Sequence, residues 1–155
     1  MGALAAELQG RVQCARGAGR VRVALRARVE LTASDGRDLA DALARTAGLR
    51  ALGTAWRALT PEEARAHVQT ILSRDLAYSA ELMAVNDAAA LADDFLNLAG
   101  EGSSHWTNGV WPPASALRAA GWAGSWTPAT AATFDTGVVA VGPEWVALLW
   151  IEDED

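Results

Sequence analysis

This sequence predicts an α+β fold, on three observations. Residues 20–32 alternate apolar and charged side chains, as a half-buried strand does. Thr60-Pro61-Glu62-Glu63 has the order of a helix start: Thr to cap, Pro at the first helical position, and Glu three residues after the cap. The C-terminal stretch reads as a hairpin, with Gly137–Val141 and Trp145–Ile151 flanking Gly142-Pro143. Strands and helices do not recur as β-α-β units, so the sheet is expected to be small and mostly antiparallel, packed by two or three helices. With 155 residues and no linker-like stretch, the chain is read as one domain over 1–155.

Taken in order, residues 1–19 are expected to be loosely structured, with Gly17-Ala18-Gly19 leading into the first strand. In that strand Val21, Val23, Leu25, Ala27, Val29 and Leu31 share one face; Arg20, Arg22, Arg26, Arg28 and Glu30 share the other. Ser34-Asp35-Gly36 marks a turn, and Leu39 and Leu43 give helical spacing closed by Gly48. A second strand is placed within Leu49–Leu59, weakened by Gly53. The helix after Thr60 runs through Val68, Ile71, Leu72 and Leu76 towards Met83; the competing reading stops it near Arg74 and makes Leu76–Met83 a strand. Asn86 or Asp87 is expected to cap the next helix, which carries Leu91, Phe95 and Leu98 and stops at Gly100. Beyond Glu101 the chain is rich in Gly, Ser, Pro and Trp, with one short helix expected at Pro113–Ala120. The last strand is apolar on both faces, so it is expected to lie inside the sheet or to be covered on both sides.

Charge is segregated. Residues 1–74 hold 12 of the 13 basic residues against 7 acids, while residues 75–155 hold Arg118 alone against 12 acids. A net charge of −6 argues against a nucleic-acid partner. Neither a membrane-spanning run nor a signal peptide is evident, so a cytoplasmic protein is expected. All 13 bases are Arg and 35 residues are Ala, a usage that fits a GC-rich bacterial genome. Cys14 is the only cysteine, which rules out an internal disulfide. It lies between Arg11 and Arg16, where a thiol can be activated, although an inert cysteine is the commoner case. The Arg face of the first strand is expected to pair with acids of the C-terminal half rather than to hold an outside anion.

No catalytic motif is present. His105, beside Ser103 and Ser104 in the loop, is the best candidate general base, with Asp135 to orient it. There is no nucleophile elbow, and neighbouring Ser and His do not easily face each other. His67, two turns into a helix, is read as a packed or solvated histidine. The acids Asp93, Asp94, Glu101 and Asp135 lack metal-ligand spacing, so no metal and no cofactor is expected. Six of the seven Trp lie after residue 75, and Trp106, Trp111, Trp122 and Trp126 fall close together. They are the leading binding candidates, with His105 and the acidic terminus Glu152, Asp153, Glu154 and Asp155.

The favoured functional reading is a non-enzymatic protein-binding module, a small acidic inhibitor or immunity-type protein that masks a basic protein. The alternative is a small-molecule or carbohydrate binder, in its furthest form a hydrolase, using the Trp-rich loop 103–126. A third reading is a homodimer formed through an exposed strand edge.

Overall fold

The structure, a computed structural model, describes residues 2–111 and 125–154 and bears out the α+β class. The expected helix at Pro113–Ala120, Trp122, Arg118 and Asp155 lie outside the described residues.

Five strands form one antiparallel sheet: β1 (Arg20–Ala27), β2 (Arg57–Leu59), β3 (Ser104–Thr107), β6 (Phe134–Val141) and β7 (Trp145–Asp153), in the spatial order β1-β7-β6-β3-β2. A separate two-stranded ribbon pairs β4 (Gly109–Val110) with β5 (Ser125–Trp126). The C-terminal hairpin forms the middle of the sheet, so both faces of β7 are covered, as its two apolar faces require. Ala147, Leu149 and Ile151 pack with β1 under three helices: α1 (Gly2–Arg16), α3 (Pro61–Ser73) and α4 (Val85–Ala99). Val146, Leu148 and Trp150 pack on the opposite face against α2 (Gly36–Thr46), Leu49 and Trp56. Gly137 sits where β6 crosses Trp150; a Cβ there would run into the Trp150 ring and the Leu149 carbonyl.

Several boundaries differ from the sequence expectation. The N-terminal residues are not loose: Gly2–Arg16 is a helix whose buried stripe is Ala5, Leu8, Val12 and Arg16. The first strand ends at Ala27 rather than near residue 32, because its partner begins at Trp145, in register with Ala27. Arg28–Glu30 turns as a 3-10 helix, leaving Val29 94% exposed. The second strand is confined to Arg57–Leu59.

The Thr60 capping box is present in full: Glu63 N–H donates to Thr60 Oγ1 at 3.1 Å, and Thr60 N–H donates to Glu63 Oε2 at 2.9 Å. The helix it opens stops at Ser73, and Leu76–Met83 is neither helix nor strand. Asp75 Oδ1 accepts from Tyr78 N–H, Ser79 takes a left-handed φ of 57°, and Leu82 N–H returns to the Ser73 carbonyl. These local bonds replace the helical ladder. α4 starts at Val85 after an Ala84 N-cap with no side-chain cap, so Asn86 and Asp87 lie in its first turn instead of capping it.

β1 is a long edge strand, and α1 covers its free edge. Gln13 Oε1 accepts from Val21 N–H at 2.9 Å and Gln9 Oε1 from Val23 N–H at 2.8 Å. Two glutamines one helical turn apart thus occupy two of the outward donors that an open edge offers to another chain. The opposite edge, β2, is three residues long.

Candidate functional site

The residues singled out from sequence do not assemble into one site. His105 stands on β3 in register with Ala140, on the helix-covered face shared with α1, α3 and α4. Asp135 precedes Thr136 on β6 and faces the α2 side, where Oδ1 accepts from Trp150 Nε1 at 3.1 Å and Ala129 N–H at 3.0 Å. Strand alternation puts the two on opposite faces of the sheet, so Asp135 does not orient His105. Ser103 donates to the Gly100 carbonyl, and Ser104 accepts from Trp106 Nε1. His105 Nδ1 is buried without a hydrogen-bond partner among the described residues, and burial lowers the ring's pKa.

The indoles divide in the same way. Trp106 lies half-buried on the α2 face with the Arg37 guanidinium 5.5 Å from its ring centre. Trp111 is buried on the other face, 5.1 Å from Trp126, which in turn lies 5.7 Å from Phe134. Of the predicted cluster, Trp111 and Trp126 come together, while Trp106 stands on the opposite face.

Three acids of the terminus, Glu152, Asp153 and Glu154, are engaged within the fold. Glu152 pairs with Arg22 at 2.9 Å and with Arg20 at 3.7 Å, and Glu154 accepts from Thr133. Asp153, buried, takes two bonds from Arg16 Nη1 and Nη2 at 2.7 and 2.5 Å, and a third from Leu76 N–H. Glu152, Asp153 and Glu154 thus have partners within the fold. Cys14 is exposed on α1.

A site that sequence reasoning passed over lies where α3 meets β2 and β3. The buried stripe of α3 is Ala64, His67, Val68, Ile71 and Leu72, helical spacing that turns His67 onto the sheet. His67 Nε2 lies 3.0 Å from Thr136 Oγ1 and 3.4 Å from Thr107 Oγ1. Both hydroxyl hydrogens are committed elsewhere: Thr136 donates to Asn108 Oδ1 at 2.8 Å, and Thr107 donates to the Gly137 carbonyl at 2.6 Å. Asn108 cannot be reversed, since its Nδ2 donates to the Thr127 and Asp135 carbonyls. The remaining hydrogen must therefore come from the imidazole, which makes Nε2 the protonated nitrogen and Nδ1 a bare acceptor.

That Nδ1 has no hydrogen-bond partner among the described residues, and His67 lines a cleft. Burial first, and then the nearby Arg57 charge, push the His67 pKa down to about 4, so the ring is neutral at pH 7.

The cleft holds about 210 Å³ and is bounded by Arg57, Leu59, Glu63, His67, Val110 and Trp111, with Ala66, Thr70 and Gly109 completing its lining. Register explains Arg57: it pairs with Thr107, so it projects on the face of the sheet that His67 meets. Arg57 is exposed and has no ion pair among the described residues. Glu63 stands one turn before His67, held through Oε2 by the capping box. Behind Thr136 the polar chain runs through Asn108 to Asp135, whose second oxygen accepts from Thr130 N–H at 3.2 Å and Thr130 Oγ1 at 3.0 Å. The cleft thus presents one cation, one anion and one neutral acceptor beside an apolar wall. No group of three His, Cys, Asp or Glu side chains close enough to hold a metal occurs among the described residues.

No protein family, curated protein or solved structure matches the chain.

Proposed function

We propose that the protein is a non-enzymatic small-molecule-binding module and that the His67 cleft is its recognition site. The observation that carries this reading is the His67 ring: a buried network supplies the acceptor for Nε2–H and leaves a bare Nδ1 on a side chain that lines a cleft. A ring held in one tautomer by second-layer hydrogen bonds is an oriented acceptor, and apolar clefts with a few fixed polar groups are the usual form of small-ligand sites. The same network argues for binding over catalysis. A histidine whose pKa lies near 4 is a poor proton acceptor at pH 7, since general bases work best near the operating pH.

The test is a screen of small polar compounds read by NMR on the His67 ring and the Trp111 indole. Binders are expected to shift both, and to be lost in Thr70→Trp, which fills the cleft from α3. Compounds that leave His67 unmoved, or that bind Thr70→Trp equally well, contradict the assignment.

A further inference from the structure

The polar groups around the cleft differ in sign, and their arrangement narrows the ligand class. We propose that the cleft takes a small zwitterion, an α-amino acid with an apolar side chain. Its carboxylate sits on Arg57, its ammonium is shared by His67 Nδ1 and Glu63 Oε1, and its side chain lies against Leu59, Val110 and Trp111. This rests on the reading of the cleft as a binding site.

Each assignment follows from what the group has left to offer. Arg57 presents guanidinium donors with no ion pair among the described residues, and a carboxylate matches their planar fork. A carboxylate does not suit His67, whose Nδ1 is an acceptor and would meet it lone pair to lone pair; this nitrogen calls for a donor. Glu63, four residues earlier on the same face of α3, has one oxygen committed to Thr60 N–H and the other without a partner among the described residues. A donor that faces both an acceptor nitrogen and a carboxylate oxygen is best made a cation, and an ammonium with three N–H groups serves both. The apolar wall excludes a ligand that is polar all round. Size agrees as well: 210 Å³ is the space of about seven waters at about 30 Å³ each, room for a small amino acid.

Isothermal titration of the whole protein with L-leucine and L-phenylalanine tests this, with the His67 ring followed by NMR in the same samples. N-acetyl-L-leucine removes the ammonium, and L-leucine methyl ester removes the carboxylate. At least one of the two amino acids is expected to bind and to move His67, and each derivative to bind about tenfold more weakly or worse, the loss typical of one charged hydrogen bond. Arg57→Gln should weaken the amino acid by a similar factor and leave the methyl ester unchanged; as an exposed edge position it is a mild change for folding. Derivatives that bind as well as their parents overturn the proposal. If isovalerate or isoamylamine moves His67 while the amino acids do not, the cleft is a binding site and the zwitterion assignment is wrong. If no compound moves His67, the zwitterion assignment and the reading of the cleft fall together.

Discussion

At the scale of single residues, the account turns on how neighbours define a histidine. From sequence, His105 attracts attention because it stands among serines and tryptophans, and His67 looks like an ordinary member of a helix. What sets His67 apart is Thr107, Asn108 and Thr136, which lie 40, 41 and 69 residues away in the chain and reach it only through the sheet. No local pattern encodes that meeting. The lowered pKa has a consequence for stability. An unfolded histidine binds a proton near pH 6.5, whereas folded His67 resists one until about pH 4. Between those values the unfolded state holds more protons, so stability falls as the pH falls through this window. The full effect is about 3 kcal/mol, gone below pH 4. Denaturant unfolding of the wild type at pH 7 and pH 4 should show this loss, and His67→Phe should show a smaller difference between the two pH values; an equal slope in both proteins contradicts the burial argument. Asn108→Leu should cost about 2–4 kcal/mol, because it strands the Thr136 hydroxyl and the buried Asp135 carbonyl, and it should release the His67 tautomer.

At the scale of elements, Arg16 ties three of them together. Its guanidinium reaches the Ile71, Ala18 and Arg74 carbonyls and both oxygens of Asp153, joining the ends of α1 and α3 to the end of β7. Gly19, at φ +65°, lets the chain pass against Asp153 where a Cβ would collide with its carboxylate. Arg16→Met leaves that buried carboxylate without its cation and should cost about 3–5 kcal/mol in urea unfolding, much of it recovered in Arg16→Met/Asp153→Leu. Arg16 is also why α1 was hard to read from sequence. The stripe Ala5, Leu8, Val12, Arg16 has helical spacing, but Gly10 lowers the helix propensity of the segment and the last buried member of the stripe is charged. Where signals are local and stereochemical, as in the Thr60 capping box or the Gly142-Pro143 hairpin, sequence and structure agree. The helix expected to run to Met83 fails for the opposite reason: apolar Leu76 and Met83 are buried at the ends of a tight turn rather than along a helical stripe. The β1 edge offers a further test. Gln9→Leu/Gln13→Leu removes the acceptors that cover Val21 and Val23 N–H, and sedimentation should then show more concentration-dependent self-association than in the wild type.

At the scale of the whole molecule, the charge segregation that stands out in the sequence is used in folding. All five ion pairs among the described residues join a base from residues 1–74 to an acid from residues 75–155: Arg11–Asp94, Arg16–Asp153, Arg20–Glu152, Arg22–Glu152 and Arg65–Asp93. The exposed pairs contribute little each, about 0–1 kcal/mol, but opposite net charges draw the two segments together over a longer range. The sheet is shared too, with β1 and β2 from one segment enclosing β3, β6 and β7 from the other. Fragments 1–74 and 75–155, cut in the turn after α3, should therefore recover structure by circular dichroism only when mixed, at a rate that falls with salt; a salt-independent rate contradicts a steering role. The fold class was legible because strand alternation and helix caps are local, whereas the candidate site was not, since it forms only when α3, β2, β3 and β6 come together. The measurement that tests the account most directly is the ring nitrogen spectrum of His67 in ¹⁵N-labelled protein at pH 7. A hydrogen on Nε2 and a bare Nδ1 are expected in the free protein. An Nδ1–H tautomer, or a doubly protonated ring, would contradict it.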